Sequence, residues 1–263
     1  MKRGTLVTRW DEESGTRMLH DEVAVEFPLT IVYNGRELVT LQCTPDRLKS
    51  LAVGFLAAEG IIREAADLEE VVLDEANGVV RVTSRRGGDA DPESAFRRVI
   101  TSGCGQGAAF YKTNTETLEW IASDLTAPAA ALAAIARDFQ RRSAVFRATG
   151  GVHSAGLAQG DRLVCFCEDI GRHNAVDKLF GECLLQGWPT ADKILVTSGR
   201  VSSEVVFKVA RMGVPILVSR SAPTSLAVDL ARELGLTLVG FARGKRLNVY
   251  SGAERIRFET PVQ

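Results

Sequence analysis

One cysteine of the chain lies in a setting that could support nucleophilic chemistry. Cys104 is in the heptapeptide Thr-Ser-Gly-Cys-Gly-Gln-Gly at positions 101–107, with three glycines around it. Glycines let a backbone approach a ligand closely, and successive N–H groups in such a loop can stabilise an anion, including a thiolate. Cys104 is therefore the candidate nucleophile. The alternative is an unreactive thiol in a glycine turn.

The other four cysteines are Cys43, Cys165, Cys167 and Cys183, which fall in predicted strands or on the apolar side of a predicted helix. Cysteine is commonly buried as a small apolar residue, so these four are interpreted as inert core thiols. The chain has five cysteines, an odd number, and shows no apolar segment of the kind found in signal peptides. We therefore expect reduced thiols and no disulfide framework. The three histidines accompany no C-x-x-C or H-E-x-x-H spacing, which disfavours zinc.

Further polar candidates follow predicted strands in the second half of the chain. The run 168–178 (EDIGRHNAVDK) opens a helix, His153 lies in another strand, and the segments 198–200 (SGR) and 220–223 (RSAP) follow two more strands. In open α/β sheets, ligands bind beyond the carboxyl ends of strands, where helix N-termini offer free N–H groups to anions. The alternative is a set of solvated, salt-bridged helix starts, with a half-buried histidine at position 153.

The last of these strand ends is the most basic. It comprises Phe241, Ala242, Arg243, Gly244, Lys245 and Arg246, with three cations within four residues. Guanidinium forks suit phosphate oxygens. Several such ends at one sheet edge predict a nucleotide-like ligand. There is no G-x-x-x-x-G-K-[ST] sequence and no G-x-G-x-x-G after a predicted strand, which excludes a Walker-type phosphate loop and a dinucleotide fingerprint.

The predicted secondary structure differs between the two halves of the chain. Residues 29–33 and 36–43 flank Asn34-Gly35 and predict a hairpin, residues 45–59 predict an amphipathic helix capped by Thr44, and residues 70–73 and 79–83 predict a second hairpin. We expect residues 1–125 to form a smaller N-terminal α+β domain that carries the cysteine loop.

From about residue 127, short apolar strands alternate with helices. Strands are predicted at 152–158, 162–168, 194–197, 215–219 and 237–241, and helices at 128–142, 174–186, 202–212 and 224–234. This alternation predicts parallel pairing with both sheet faces covered. We expect residues 126–263 to form a layered α/β domain that binds a nucleotide.

Composition narrows the class of protein. Lys and Arg number 32 against 33 Asp and Glu, a net charge of −1, which leaves no basic excess for a nucleic-acid backbone. Hydrophobic residues make up 45% and charged residues 25%, as in an ordinary globular protein. No apolar stretch approaches the length needed to span a bilayer, so a cytoplasmic protein without a membrane segment is expected.

Longer motifs resemble a known family. The stretches 149–157 (TGGVHSAGL) and 168–179 (EDIGRHNAVDKL), together with 198–200, 219–223 and 241–246, are similar to those of the FdhD/NarQ family, and they occur in the same order. This family comprises sulfur carriers required for formate dehydrogenase activity. The resemblance covers nearly the whole chain.

The resemblance implies a sulfurtransferase with a cysteine persulfide intermediate. Sulfur would pass from a cysteine desulfurase to Cys104, and then to the bis(molybdopterin guanine dinucleotide) molybdenum cofactor of formate dehydrogenase. It also implies a cytidine-deaminase-like fold for residues 126–263, a homodimer, and cofactor binding by Phe241 through Arg246, with GDP as a mimic of the cargo.

The chain departs from the family pattern, and from the zinc-deaminase motif, at two places. Many members have C-x-x-C at the carrier cysteine, whereas this chain has Gly107 at the second position, so any step that needs a second loop thiol is in doubt. Ser154 and Ala155 follow His153 and no P-C-x-x-C occurs, so the zinc-deaminase ligands are missing and a deaminase-like hydrolase is remote. A cofactor-binding chaperone that transfers no sulfur is the main alternative.

Overall fold

A computed structural model describes residues 1–85 and 118–258 of the protein. Its N-terminal part contains six strands and one helix: β1 (Lys2–Asp11), β2 (Gly15–Ala24), β3 (Phe27–Tyr33), β4 (Arg36–Cys43), α1 (Leu48–Ala58), β5 (Leu68–Asp74) and β6 (Val79–Ser84). Strands β1 and β2 form a separate hairpin, and the other four form a sheet in the order β4-β3-β6-β5. The segment 101–107 with Cys104 lies outside the described residues.

The C-terminal part alternates strands and helices, as the sequence predicts. It contains β7 (Ala127–Pro128), α2 (Ala129–Arg142), α3 (Ala144–Thr149), β8 (His153–Gln159), β9 (Arg162–Asp169), α4 (Arg172–Gln186), β10 (Ile194–Thr197), α5 (Ser203–Arg211), β11 (Ile216–Ser219), α6 (Ser225–Glu233), β12 (Thr237–Arg243), β13 (Arg246–Ser251) and β14 (Ile256–Arg257). The strands β1, β2, β7, β13 and β14 and the helix α3 were not predicted. The mixed α/β class is confirmed.

The central sheet has six strands in the order β13-β12-β11-β10-β8-β9. Strands β10, β11 and β12 are parallel, which confirms the pairing predicted for the apolar strands. The flanking strands β8 and β13 run antiparallel to their neighbours. Because β8 is reversed, its first residues lie at the same sheet edge as the carboxyl ends of β10–β12. A cytidine-deaminase-like relationship stays a prediction.

The predicted hairpin of β3 and β4 is confirmed, together with its turn. Asn34 has φ 47° and Gly35 has φ 78°, the positive angles that a type I′ turn requires at both central positions. The second predicted hairpin corresponds to β5 and β6, with Gly78 at φ 63° in its turn. The residue types at the two turns therefore predicted both hairpins correctly.

The helix expected at residues 45–59 is shorter at its start than predicted. Helix α1 begins at Leu48, and Arg47 before it is left-handed with φ 51°. Thr44, predicted as its cap, instead donates its backbone N–H and its hydroxyl to Asp169 Oδ2 at 3.0 and 3.1 Å. The predicted cap is wrong because a partner distant in sequence engages the threonine.

The buried apolar side chains of residues 1–85 and 118–258 form two hydrophobic cores. The larger core joins α1 and the inner faces of β3 and β6 to α4, α5, α6 and one face of the central sheet. The smaller core lies on the other face of that sheet, beneath α2. Because the larger core takes side chains from both parts of the chain, burial of apolar surface links the two parts. The division at residues 125 and 126 stays a prediction.

Candidate functional site

The predicted strand ends meet at one edge of the central sheet. His153 begins β8, Ser198 follows β10, Arg220 follows β11, and Arg243 ends β12. The Ser198 hydroxyl lies 3.4 Å from His153 Nδ1 and accepts the Ser154 N–H at 2.9 Å. The structure thus brings Ser198, Arg220 and Arg243 together, as predicted, and His153 joins them because β8 runs antiparallel to β10.

Gly199 makes the close approach at this edge possible. A Cβ added there would lie 3.1 Å from Arg172 Cβ and 3.6 Å from His153 Nδ1. A contact of 3.1 Å is tighter than ordinary van der Waals separation, so a larger residue would displace Arg172. Glycine therefore lets the loop after β10 lie against the start of α4.

Hydrogen bonds connect this loop to the two neighbouring strand ends. The Ser219 hydroxyl donates to the Gly199 carbonyl oxygen at 2.8 Å, and the Phe241 N–H donates to the Ser221 carbonyl oxygen at 3.1 Å. Arg243 Nε donates to the Arg220 carbonyl oxygen at 2.7 Å. The ends of β10, β11 and β12 are therefore fixed relative to each other through direct contacts.

The basic segment 241–246 comprises the end of β12, the turn at Gly244 and Lys245, and the first residue of β13. Phe241 has φ 49°, the guanidinium carbon of Arg243 lies 5.8 Å from its ring centroid, and Gly244 has φ 61°. Ala242 is buried, whereas Arg243, Gly244, Lys245 and Arg246 are exposed. Arg137 on α2 donates to the Gly244 carbonyl oxygen at 2.8 Å. Nothing in the sequence of α2 pointed to Arg137.

Several cations at this edge have no carboxylate of the described residues within ion-pair distance, although Arg172 interacts with Glu204 over a longer range. Among residues 1–85 and 118–258, Arg172, Arg200, Arg220, Arg243, Lys245 and Arg246 form no ion pair with a carboxylate. Burial and the charge of Arg243 lower the pKa of Arg220 below its ordinary value. An anion bound at this edge would relieve that repulsion and gain charge-assisted hydrogen bonds.

The surroundings of two histidines at this edge favour the neutral imidazole. Burial and the positive charge of Arg172 lower the pKa of His153. Burial, with the charges of Lys208, Arg172 and His153, lowers the pKa of His173 to about 3. His173 Nε2 lies 3.1 Å from Glu204 Oε2, but the two atoms lack hydrogen-bond alignment. Neutral imidazoles can donate or accept hydrogen bonds here without adding charge.

Three buried polar atoms near this edge lack a hydrogen-bond partner within the described part of the chain. They are Arg172 Nε, His173 Nε2 and Ser202 Oγ, at the starts of α4 and α5. Buried polar groups are normally paired, so such a cluster calls for an explanation. A bound polar ligand would supply the missing partners. Ser202 and Glu204 were not predicted as site residues. The position of Ser202 at the start of a predicted helix could have suggested it, whereas no sequence signal pointed to Glu204.

Other residues of the 168–178 motif serve the structure. Asp169 and Lys178 form a fully buried ion pair, with Lys178 Nζ 2.7 Å from Asp169 Oδ2. Lys178 Nζ also donates to the Thr44 hydroxyl at 2.7 Å. Asn174 donates to Asp169 Oδ1 and to the Gln42 carbonyl oxygen, at 2.9 and 2.8 Å. These residues hold the end of β4 against the start of α4, and the buried pair is unavailable to a ligand.

A second buried ion pair includes Asp177, the residue on α4 immediately before Lys178. Lys208 Nζ on α5 donates to both carboxylate oxygens of Asp177, at 2.6 and 2.8 Å. Lys208 Nζ also lies 6.0 Å from the Phe55 ring centroid on α1. The motif therefore ties α4 to both α1 and α5, which positions Arg172 and His173 at the sheet edge.

Two further predictions concern metal binding and membrane segments. No three of their His, Cys, Asp or Glu side chains come together as a metal-binding group. None of their helices is both long and apolar enough to cross a lipid bilayer. Cys104 lies outside them, and the predicted role of Phe241 through Arg246 in cofactor binding rests on position and charge.

Comparison with known proteins shows the relationships of the chain. The Sulfur carrier protein FdhD of Bacillus subtilis is 44% identical over 250 residues, which cover 94% of this chain and 95% of that protein. The protein of the same name from Geobacillus kaustophilus is 47% identical over 237 residues, 90% of each chain. A crystal structure from Desulfotalea psychrophila, described as a formate dehydrogenase accessory protein, matches with TM-score 0.81 and 30% identity over 97% of this chain and 99% of that one. The FdhD/NarQ family model matches residues 24–257, and the chain belongs to that family.

Proposed function

We propose that this protein is a sulfur carrier that serves formate dehydrogenase. The observation that carries the proposal is the similarity to proteins named Sulfur carrier protein FdhD, which extends over 94% of the chain in the Bacillus subtilis relative. The name of the similar crystal structure links it to formate dehydrogenase. The sequence around Cys104 supports the same function, since a glycine-rich loop suits a reactive thiolate.

In the proposed reaction, the Cys104 thiolate attacks the outer sulfur of a persulfide on a cysteine desulfurase. The sulfur–sulfur bond of the donor breaks, the desulfurase cysteine leaves as a thiolate, and Cys104 becomes a persulfide. No external oxidant is needed, because one sulfur–sulfur bond forms as another breaks, as in thiol–disulfide exchange. Gly107 leaves no second thiol in the loop to release the sulfur as sulfide.

The proposed acceptor of this sulfur is the bis(molybdopterin guanine dinucleotide) molybdenum cofactor, bound as cargo. Its guanine nucleotide arms carry phosphates, and the edge formed by Arg220, Arg243, Lys245 and Arg246 presents cations without acidic partners among the described residues. Guanidinium groups bind phosphate oxygens through paired hydrogen bonds. GDP is therefore the probe of choice.

A cofactor-binding chaperone that transfers no sulfur is the second candidate. The same basic edge favours it, because that edge needs no reactive thiol to hold a nucleotide. The two candidates differ in whether Cys104 gains sulfur. A homodimer, as the family resemblance implies, is compatible with either.

Mass spectrometry after incubation with a cysteine desulfurase and cysteine tests the proposal. We expect a gain of one sulfur atom on the peptide that contains Cys104, and none on that peptide in Cys104→Ala. Cys183→Ala serves as the matched control, since Cys183 is buried in α4. Activity of formate dehydrogenase in cells that carry only Cys104→Ala would contradict the carrier function. Cofactor binding without sulfur uptake would favour the chaperone.

A further inference from the structure

The starts of α4 and α5 hold polar groups that the proposed function has not used. Ser202 is the residue before α5, where a serine hydroxyl normally accepts a hydrogen bond from the backbone of the first turn. This hydroxyl makes no such bond, although its oxygen is buried. Arg172, the first residue of α4, has a buried Nε that also lacks a hydrogen-bond partner in the described part of the chain. Two buried donors at adjoining helix starts therefore have nothing among residues 1–85 and 118–258 to receive their hydrogen bonds.

Glu204 adds a carboxylate beside these donors. It follows Ser202 by two residues, and its Oε2 lies 3.1 Å from Nε2 of His173, the residue after Arg172. Its side chain is 39% exposed, so the carboxylate is open to a ligand. Lys208 on the same helix is paired with Asp177 and does not neutralise it. The group formed by Arg172, His173, Ser202 and Glu204, here called the α4–α5 cluster, thus combines unpaired donors with an acceptor.

A simple oxyanion does not satisfy the α4–α5 cluster. Phosphate or sulfate would pair with Arg172 and Ser202, but it would also lie near the carboxylate of Glu204. Like charges repel at short distance, and the carboxylate would lose hydration without gaining a donor. The matching ligand presents hydrogen-bond acceptors to Arg172 and Ser202 and hydrogen-bond donors to Glu204. Such a ligand is a neutral polar edge that carries both kinds of group.

The amino-oxo edge of guanine has this pattern. Guanine O6 accepts hydrogen bonds, commonly from arginine, and its 2-amino group is a donor. The ring N1–H is a second donor next to the amino group, so one carboxylate can accept from both. Adenine has a single amino group on this edge and no adjacent ring N–H. A pterin carries the same amino-oxo ring as guanine, and the shared chemistry is a 2-amino-4-oxopyrimidine edge.

The α4–α5 cluster lies near the basic edge that is proposed to bind phosphates. Gly199, on the loop that leads from β10 to Ser202, packs against Arg172 and accepts a hydrogen bond from the Ser219 hydroxyl at 2.8 Å. Strand β12, which ends at Arg243, is two strands away from β10. Two strand spacings are about 10 Å. A nucleoside diphosphate is long enough to place its base at the cluster and its phosphates at Arg243.

We propose that Glu204, Arg172 and Ser202 recognise a 2-amino-4-oxopyrimidine edge of the cofactor cargo. The carboxylate of Glu204 accepts hydrogen bonds from the ring N–H and the amino group, and Arg172 Nε and the Ser202 hydroxyl donate to the oxo oxygen. The inference rests on the proposed function, because the edge belongs to the cargo of that function. Both the guanine arms and the pterin of the cargo carry such an edge.

Calorimetry with GDP, IDP, ADP and pyrophosphate tests recognition of the guanine arm. IDP lacks the 2-amino group, so GDP should bind at least about tenfold more tightly than IDP, the factor expected for one hydrogen bond to a charged group. Glu204→Gln should remove most of this difference without weakening pyrophosphate binding. Glu233→Gln is the matched control, since Glu233 is exposed at the last position of α6 and should keep the wild-type ratio.

A soluble pterin, 6-hydroxymethylpterin, distinguishes the two sources of the edge. If the pterin occupies the cluster, Glu204→Gln should weaken binding of this probe at least about tenfold and leave the ratio of GDP to IDP affinity unchanged. Equal affinity for GDP and IDP together with pterin binding that does not depend on Glu204 would overturn the inference. A preference for ADP over GDP would do the same.

Ser202→Ala separates recognition from folding. Its hydroxyl does not cap α5, so the urea midpoint should stay unchanged, while the probe that depends on Glu204 should bind several-fold more weakly. A lower midpoint with unchanged affinity would assign the hydroxyl to the fold and contradict the proposal.

Sulfur uptake by Cys104 from a cysteine desulfurase keeps this test distinct from that of the proposed function. Glu204→Gln should still gain sulfur on Cys104, because the α4–α5 cluster takes no part in that step. Sulfur uptake by a wild-type protein that does not discriminate between the bases would overturn the inference alone. Base recognition that depends on Glu204, without sulfur uptake, would overturn the carrier function and leave the inference standing.

Discussion

Gly54 on α1 and Gly181 on α4 lie at the point where these two helices cross in direct backbone contact. A Cβ at Gly54 would overlap the Asp177 carbonyl oxygen and lie 2.7 Å from the Gly181 nitrogen, and a Cβ at Gly181 would overlap the Ser50 carbonyl oxygen. This crossing joins the N-terminal part to the motif that begins α4. The position of Arg172 and His173 at the sheet edge therefore depends on glycine at positions 54 and 181, where a Cβ would not fit.

Alanine at either glycine should destabilise the protein. Because the obstacle is backbone and not a flexible side chain, the helices must separate, and overpacking of this kind costs about 1–3 kcal/mol or more. Urea denaturation of Gly54→Ala and Gly181→Ala measures the loss. Gly4→Ala is the control, since a Cβ there meets nothing within 4 Å. A loss no larger than that of the control would contradict the crossing geometry.

Removal of the buried lysine should be more costly than removal of an exposed one. In Lys178→Met, the carboxylate of Asp169 keeps its burial but loses its cation, and breaking such a pair costs about 3–5 kcal/mol. The exposed pair of Lys2 and Glu22 provides the control, since Lys2→Met should cost less than about 1 kcal/mol. Chemical denaturation compares the two variants, and similar losses would show that Asp169 is solvated.

Acidification should destabilise the protein through His173. Its pKa falls from 6.5 to about 3 on folding, chiefly because of burial, so the unfolded chain binds a proton that the folded protein rejects. The contribution is fully present above pH 6.5 and is lost as the pH falls toward 3, by up to about 1.4 kcal/mol per pH unit. Denaturation between pH 7 and pH 5 should show a smaller slope in His173→Gln than in the wild type. The exposed-site control His20→Gln should keep the wild-type slope, and an unchanged slope in His173→Gln would contradict the shift.

Loss of two arginines should weaken GDP binding. In the double variant Arg243→Ala, Arg246→Ala, each lost charge-assisted hydrogen bond should cost about 1.5–3 kcal/mol of binding free energy. Added salt should reduce the difference from the wild type if screened attraction dominates. The control is Arg141→Ala, Arg142→Ala on α2, whose arginines pair with Asp138. Calorimetry with GDP and ADP measures the effect. Equal GDP affinity in both double variants would place the nucleotide elsewhere, and a preference for ADP would contradict a guanine-bearing cargo.

The local conformations and the order of the elements could be predicted from the amino-acid sequence. Asn34-Gly35 defined a hairpin because both residues tolerate positive φ, and apolar runs between helices defined the parallel strands of the central sheet. Parallel strands place their carboxyl ends at one edge, so the polar ends at Ser198, Arg220 and Arg243 were correctly grouped. These predictions depend only on residues that are close in sequence or on general rules of sheet topology.

Which polar side chains stabilise the fold and which face the sheet edge depends on contacts between residues that are far apart in the sequence. Thr44 contacts Asp169 across 125 positions, Arg137 contacts Gly244 across 107, and Arg47 contacts Cys165 across 118. A propensity or a periodicity carries no information about such a partner, because each contact exists only after α1 has packed on α4 or α2 on the sheet. For the same reason the sequence could not show that Asp169 and Lys178, which were candidates for the site, form a buried ion pair. It also could not show that the guanidinium of Arg47 lies beside the thiol of Cys165.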